Sequence, residues 1–238
     1  MFTNLFKRHR NLEEMDDPSL DIQLHRRALD GLARINHWSK SANIMWAPIQ
    51  ALARETGEKS FRILDIASGA GDIPIALWKM SRQAGFLLEI DGCDKSPQAI
   101  EYARERAQQS SAQVHFYPQD IIDGKIPSGY DILMSSLFLH HLSDREALKL
   151  LCGMAEAAKK MILVNDLVRC ASGIMLAYLG TRFLSRSQVV HMDGVRSVRA
   201  AFNIEEICGL AQRAGLTGAQ VERRWPSRFL LTWKKTQK

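Results

Sequence analysis

Arg62-Ile-Leu-Asp-Ile-Ala-Ser-Gly-Ala-Gly-Asp72 is the stretch that decides the fold. Ile63, Leu64 and Ile66 form an apolar run that ends in two closely spaced glycines just before a helical pattern, which reads as a buried strand, a tight turn and a helix start. Gly69 and Gly71 permit positive φ and let the backbone approach a ligand with no Cβ in between. A dinucleotide fold wants a third glycine for helix–strand packing and a clear helix N-terminus for pyrophosphate. The third position here is Pro74. Asp72 stands where its carboxylate is expected to cap the first helical amides, and a carboxylate there repels phosphate.

The turn therefore suits a nucleoside cofactor with cationic groups and no phosphate, and S-adenosylmethionine carries an ammonium and a sulfonium. The chain beyond it alternates strands with helices. A helix is expected from Ile73 to about Ala84, then a strand Leu87-Leu-Glu-Ile-Asp-Gly-Cys-Asp94 whose closing acid, about twenty residues on, can accept ribose hydroxyls. Ser96-Pro97 opens a helix to about Gln109, with the proline in its first turn. Val114-His-Phe-Tyr117 reads as a strand followed by Asp120, an acid in reach of adenine's amino group. Tyr130 to Leu142 reads as a fourth strand running into a loop, and Lys160 to Leu167 as a fifth. Such alternation builds a parallel sheet with helices on both faces, and ligands bind beyond the carboxyl ends of its strands.

These motifs resemble the class I S-adenosylmethionine-dependent methyltransferases over residues 61–168, and the layout does so to the C-terminus. Asp65-Ile-Ala-Ser-Gly-Ala-Gly71 is similar to the family's first motif, Asp94 to its ribose acid, Asp120 to its adenine-side acid, and Tyr130 to Leu142 to its fourth motif. Ala67 stands where many members have the first glycine; ubiquinone and menaquinone C-methyltransferases also carry alanine there. The resemblance implies a doubly wound, Rossmann-like α/β fold whose seven-stranded sheet is mostly parallel with an antiparallel last strand. Val221–Arg224 and Phe229–Trp233, separated by Pro226-Ser227, are the expected closing pair. It further implies S-adenosyl-L-methionine as cofactor, held by Asp65, Ala67, Gly69, Gly71, Asp94, Lys95, Asp120, Ile121 and Ser136.

A chain of 238 residues makes one domain with appendages. Residues 1–57 are expected as a helical lid and 58–238 as the methyltransferase domain, with a substrate-binding insertion at about 170–202. Cys93, Cys152, Cys170 and Cys208 have no metal-ligand spacing, so no metal is expected and a reducing compartment, the cytoplasm, is. Met1 to Arg10 lacks the apolar core of a secretory signal, and no run reaches the roughly twenty apolar residues of a spanning helix. The net charge is +6, with Lys7-Arg8-His9-Arg10 the nearest thing to a basic patch. Scattered charge of this kind serves solubility as readily as binding.

Leu20, Leu24, Leu29, Leu32 and Ile35, then Ile44, Trp46, Ile49 and Leu52, recur at helical spacing and give two N-terminal helices. Trp38 and Trp46 are candidates to line an aromatic pocket, against the commoner role of tryptophan as core. Gly173 to Gly180 reads as an apolar helix belonging to the core, with peripheral membrane contact left open. His191 to Arg199 reads as a polar segment, either a substrate site or a connector with an Asp193–Arg196 pair. Asn203-Ile-Glu-Glu206 looks like a capped helix start. A phenol or enol acceptor must lose its proton during methyl transfer, and histidine is the natural base. His140 and His141, after the fourth strand, and His191, in the insertion, are the candidates, with His191 preferred and His141 next. The reading is a small-molecule methyltransferase, acting on oxygen of a phenolic or polyketide-like acceptor or on carbon of a quinone-type one. A nucleic-acid enzyme lacks its fourth-motif signature here, and a non-catalytic binding domain is the remaining alternative.

Overall fold

The computed structural model of the chain describes residues 7–11, 13–16, 21–122 and 124–235; Met1 to Phe6 and Leu20, the first residue of the helical pattern read above, lie outside these. Seven strands make one sheet: β1 (Ser60–Ile66), β2 (Leu87–Asp94), β3 (Val114–Pro118), β4 (Ile132–Ser136), β5 (Met161–Leu167), β6 (Gln220–Arg224) and β7 (Arg228–Lys234). Their order is β3-β2-β1-β4-β5-β7-β6, parallel except where β7 pairs antiparallel with both β5 and β6. The expected closing hairpin across Pro226-Ser227 is β6 and β7. Strand order reverses between β1 and β4, so the crevice lies at the carboxyl ends of those two strands.

Alternation along the strands divides the core between the two faces. Leu64, Ile66, Leu133, Ile162 and Val164 pack with the buried residues of α5 (Asp144–Ala157) and α8 (Ile204–Arg213). Phe61, Ile63, Ile132, Met134 and Leu163 pack on the other face with α2 (Ser41–Thr56) and α3 (Asp72–Gln83). Met45, Trp46, Ile49 and Leu52 of α2 belong to that core, whereas α1 (Ile22–Trp38) lies against α6 (Ala171–Leu184) and α7 (Gln188–Ala200). Helix starts follow local sequence. Ser96 caps α4 (Pro97–Gln109) on the Ala99 amide, and Ser143 with Glu146 and Asn203 with Glu206 form reciprocal capping boxes on α5 and α8.

Three local readings are corrected. Asp72 does not cap α3: Gly71 holds the cap position at φ 69°, so Asp72 is already inside the first turn and its carboxylate accepts from Asn36 Nδ2 at 3.0 Å. The polar segment His191 to Arg199 is part of α7. Its buried positions Val189, Val190, Asp193, Ser197 and Val198 do recur at helical spacing, but Asp193 and Ser197 are polar and disguise the stripe. The apolar stretch in α6 is not enclosed, because Met175, Leu179 and Phe183 face solvent. Among the described residues no helix is long and apolar enough to cross a membrane.

Ala67 has φ 57°, in the left-handed region that only glycine enters without penalty. The Cβ clash there costs ~1–2 kcal/mol, while glycine loosens the unfolded chain by ~0.4–1 kcal/mol. Ala67→Gly is therefore expected to raise unfolding free energy by up to ~1 kcal/mol in urea titration. A loss of stability would show that the methyl group is needed for packing.

Candidate active site

Three acids close three adjacent strands. Asp65 ends β1, is 2% exposed, and its Oδ1 has no hydrogen-bond partner among the described residues. Burial, then the nearby Asp72 and Asp94, push its carboxyl well above the usual range. Asp72 is raised too, by burial against the Asn36 hydrogen bond and the charge of Arg106. Asp94, at the end of β2, accepts the Gly69 amide on Oδ2 at 2.9 Å and the Ser96 amide on Oδ1 at 2.9 Å. It thus fixes the glycine turn. Asp120 follows β3, is exposed, and accepts the Ile122 amide, beside buried Ile121. Ser136 ends β4 and accepts from Asn165 Nδ2 at 3.0 Å. Lys95 is exposed.

The donor set fits a cationic nucleoside. A buried carboxylate without a partner calls for a positive charge, and a Cβ at Gly69 would meet nothing within 4 Å, so the turn is open above that glycine.

Beyond the tips of β4, β5 and β7 lies a cavity of about 950 Å³ including its mouth. Its walls are largely apolar, with Leu32, Ile35 and Trp38 from α1, Leu176 and Leu184 from α6, and Val198 from α7. One end is polar. His140 is buried there, its Nδ1 2.6 Å from Asp166 Oδ1 and its amide donating to Asp166 Oδ2 at 3.1 Å. Burial alone would lift Asp166, but the charge and hydrogen bond of His140, with the Leu167 and His140 amides, hold it below the usual carboxylate range. An ionised Asp166 makes Nδ1 the protonated nitrogen and leaves Nε2 as an acceptor. Nε2 stands 3.7 Å from Glu13 Oε1, and His141 Nε2 stands 3.8 Å from Glu13 Oε2. One ligand atom from each of these three residues lies within 4.8 Å of the others, a spacing that suits proton exchange and would also suit a divalent ion.

Glu13 reaches the cavity on an N-terminal strap. Arg8 donates to the carbonyls of Ala200 and Leu142, each at 2.8 Å, pairs with Asp144 at 2.5 Å, and lies 3.5 Å from the Phe202 ring centre. Arg10 donates to the His141 carbonyl at 2.7 Å. The Glu14 and Met15 amides both donate to the Asp193 carboxylate at 3.1 Å, and Ser197 Oγ donates to Glu13 at 2.5 Å. Two of the residues read from sequence as a surface patch thus fasten the strap.

The structure brings His141 to the cavity and leaves His191 out of its lining, with Nε2 2.7 Å from the Ser185 carbonyl. Arg196 pairs with Asp193 at 3.2 Å and Glu14 at 3.3 Å; neither it nor Arg199 lines the cavity, and Arg228 does. Buried Arg228 donates to Ser41 Oγ at 2.6 Å and Asn36 Oδ1 at 3.2 Å. Burial lowers it to about 10 against the pull of Asp166 and Asp72, so it stays cationic at neutral pH. Trp38 lines the cavity and packs on Trp225 with ring centres 4.7 Å apart, while Trp46 is core against Phe86. Sequence reasoning missed Glu13, Asp166 and Arg228. Asp166 had a signal, an acid at a strand end like the others. Glu13 had none, being brought in over a long separation.

Residues 63–161 match a family model described as a methyltransferase domain. The release factor glutamine methyltransferase of Lactococcus lactis is 32% identical over 88 residues, which is 37% of this chain and 31% of that protein. The ribosomal protein L11 methyltransferase of Dictyoglomus turgidum is 30% identical over 113 residues, 48% of this chain and 32% of that protein. The chain thus matches about a third of the length of these curated relatives. Among solved structures, magnesium protoporphyrin IX methyltransferase from Synechocystis, with bound S-adenosylhomocysteine, superposes with TM-score 0.57 at 17% identity, covering 85% of this chain and 84% of that one. An O-methyltransferase family 2 protein from Planctomyces limnophilus, in complex with apigenin, gives 0.55 at 16% identity over 74% and 50%. At these identities the likeness concerns the fold.

Because Asp65 is raised in the folded state, folding takes up a proton between the ordinary carboxylate range and the raised value. Its contribution is greatest at acid pH and falls as pH rises through that window. Asp65→Asn removes the contribution, so the variant is expected to be more stable than the parent by on the order of 1–2 kcal/mol at neutral pH, the gap closing toward acid. Thermal melts across pH read the difference; a destabilised variant at neutral pH would mean that Asp65 is already paired.

Proposed function

We propose that this chain, which matches a methyltransferase-domain family model over residues 63–161, transfers a methyl group from S-adenosylmethionine to an oxygen of a phenolic small molecule. The observation that carries this reading is the His140–Asp166 pair at the polar end of a deep apolar cavity, beside the strand tips. When bound, S-adenosylmethionine supplies a methyl carbon already activated by its sulfonium. Asp65 would hold the ammonium, Asp94 and Lys95 the ribose side, Asp120 and Ile121 the adenine, and the backbone of Ala67, Gly69, Gly71 and Ser136 the remaining contacts.

This chain's own residues have three tasks. The apolar walls bind an aromatic acceptor and exclude water, which together with orientation supplies most of the acceleration in an in-line displacement. His140 Nε2 takes the acceptor's proton, and Asp166 fixes the tautomer and stabilises the imidazolium, a role that passes from His191 to His140. His141 and Glu13 border the same point and favour a hydroxyl that donates toward them. Helix α1 and the strap carrying Glu13 act as the cover over the acceptor. The apigenin bound to the Planctomyces protein and the porphyrin named for the Synechocystis enzyme are planar, largely apolar molecules, which supports an acceptor of that class.

Incubation with labelled cofactor and a panel of phenols, followed by tandem mass spectrometry, should place the added methyl on oxygen. A methyl on ring carbon would transfer the reading to a quinone-type C-methyltransferase. His140→Gln and Asp166→Asn are expected to lower turnover on the order of 100-fold with cofactor affinity unchanged, and His191→Ala to leave it near the parent value. Equal loss in all three variants would remove the pair from catalysis. Turnover should survive chelator treatment, whereas loss restored by a divalent ion would assign Glu13, His140 and His141 to a metal.

A further inference from the structure

Helix α6 is apolar on two sides. Its inner side, with Leu176, Ala177 and Leu184, lines the acceptor cavity. On its outer side Met175, Leu179 and Phe183 repeat every four residues and face water, Phe183 being 85% exposed, with Tyr178 beside them and Met192 exposed on α7. A helix apolar nearly all round belongs in a core or at a lipid boundary, and the exposure of this one excludes the core.

The charges next to this stripe along the chain have one sign. Arg182 and Arg186 are exposed, and no acidic residue occurs between Arg169 and Asp193. Arg34 of α1 joins them by donating to the Leu184 carbonyl at 2.8 Å. One turn beyond Arg34, Trp38 of the cavity wall packs at a tilt against Trp225, and both residues are exposed. The Arg182 guanidinium lies 3.6 Å from the Tyr178 ring centre and donates to the Tyr178 carbonyl at 3.0 Å. Exposed tryptophans and arginines bordering an apolar stripe are the composition of a helix lying in a membrane interface.

We propose that the outer face of α6 docks on an anionic lipid surface, and that the cavity behind it receives a lipid-soluble acceptor from the bilayer. The second half rests on the small-molecule reading above; the first does not. A second copy of the chain is the weaker occupant. Two-fold pairing would set the same arginines against each other with no acid on the face to answer them.

Flotation of the full chain with phosphatidylcholine vesicles, with and without phosphatidylglycerol, tests this in the absence of any acceptor. Each arginine near an anionic surface strengthens binding roughly fivefold, so three predict a preference on the order of a hundredfold for the anionic vesicles, weakened by salt. Leu179→Asp and Phe183→Asp, both at solvent-facing positions, should each cut binding at least tenfold while cofactor affinity and turnover of a water-soluble phenol stay at the parent value. Equal binding to both vesicle types, or variants that bind like the parent, would overturn the proposal. A concentration-dependent dimer that Phe183→Asp dissociates would give the face to a second copy instead. Vesicle binding by a protein that takes no cofactor would refute the functional reading and leave the docking surface standing.

Discussion

Asp65 and Asp166 are buried and Asp72 is half-buried at the carboxyl side of the sheet, and the charge of buried Arg228 reaches Asp166 and Asp72 but not Asp65; this local shortage of positive charge organises the site. Arg228 is placed by β7, the antiparallel strand next to β5, and holds Asn36 and Ser41, at the junction of α1 and α2, by hydrogen bonds. Asn36 in turn donates to Asp72, so one guanidinium and one amide connect the glycine turn with the acceptor cavity. The carboxylates differ in what answers them. Asp166 has an imidazole and two amides and sits below its ordinary range; Asp65 has neither and sits above it. The first is equipped to orient a base, and the second to receive a cation from outside the chain.

The same economy of elements explains the acceptor end. His140 and His141 follow β4, Asp166 closes β5, Ser197 and Asp193 come from α7, and Glu13 arrives on a strap fastened by Arg8 and Arg10. The apolar walls come from α1, α6 and α7, elements outside the alternating strand–helix pattern. The proposed cofactor and acceptor ends are therefore built from different materials. The sheet fixes one through short turns at strand ends, and the appended helices fix the other through packing.

That division also sets what could be read from the sequence. Strand ends, the glycine turn, the capping box at Asn203 and the closing hairpin are local, governed by residues adjacent in the chain, and all were legible or nearly so. Asp72 was misread by a single position, since a cap lies before the first turn and Asp72 lies in it. Helix α7 hid because Asp193 and Ser197 turn inward to serve the strap, which breaks the apolar period. His191 looked promising by composition, yet its ring nitrogen is spent on the Ser185 carbonyl, a contact no spacing rule foresees. Glu13 and Arg228 reach their places across most of the chain length, and one sequence carries no record of such encounters. Trp38 and Trp46 illustrate the limit: equal in kind and eight positions apart, one lines the cavity and the other is core.

Calorimetric titration of the protein with S-adenosylmethionine, repeated in buffers of different ionisation enthalpy, addresses the charge shortage directly. Burial raises Asp65 and a bound ammonium draws it back toward the ionised form, so saturable binding accompanied by net proton release is the expected result, and the release should vanish in Asp65→Asn. Absence of saturable heat, or binding with proton uptake, would contradict the account.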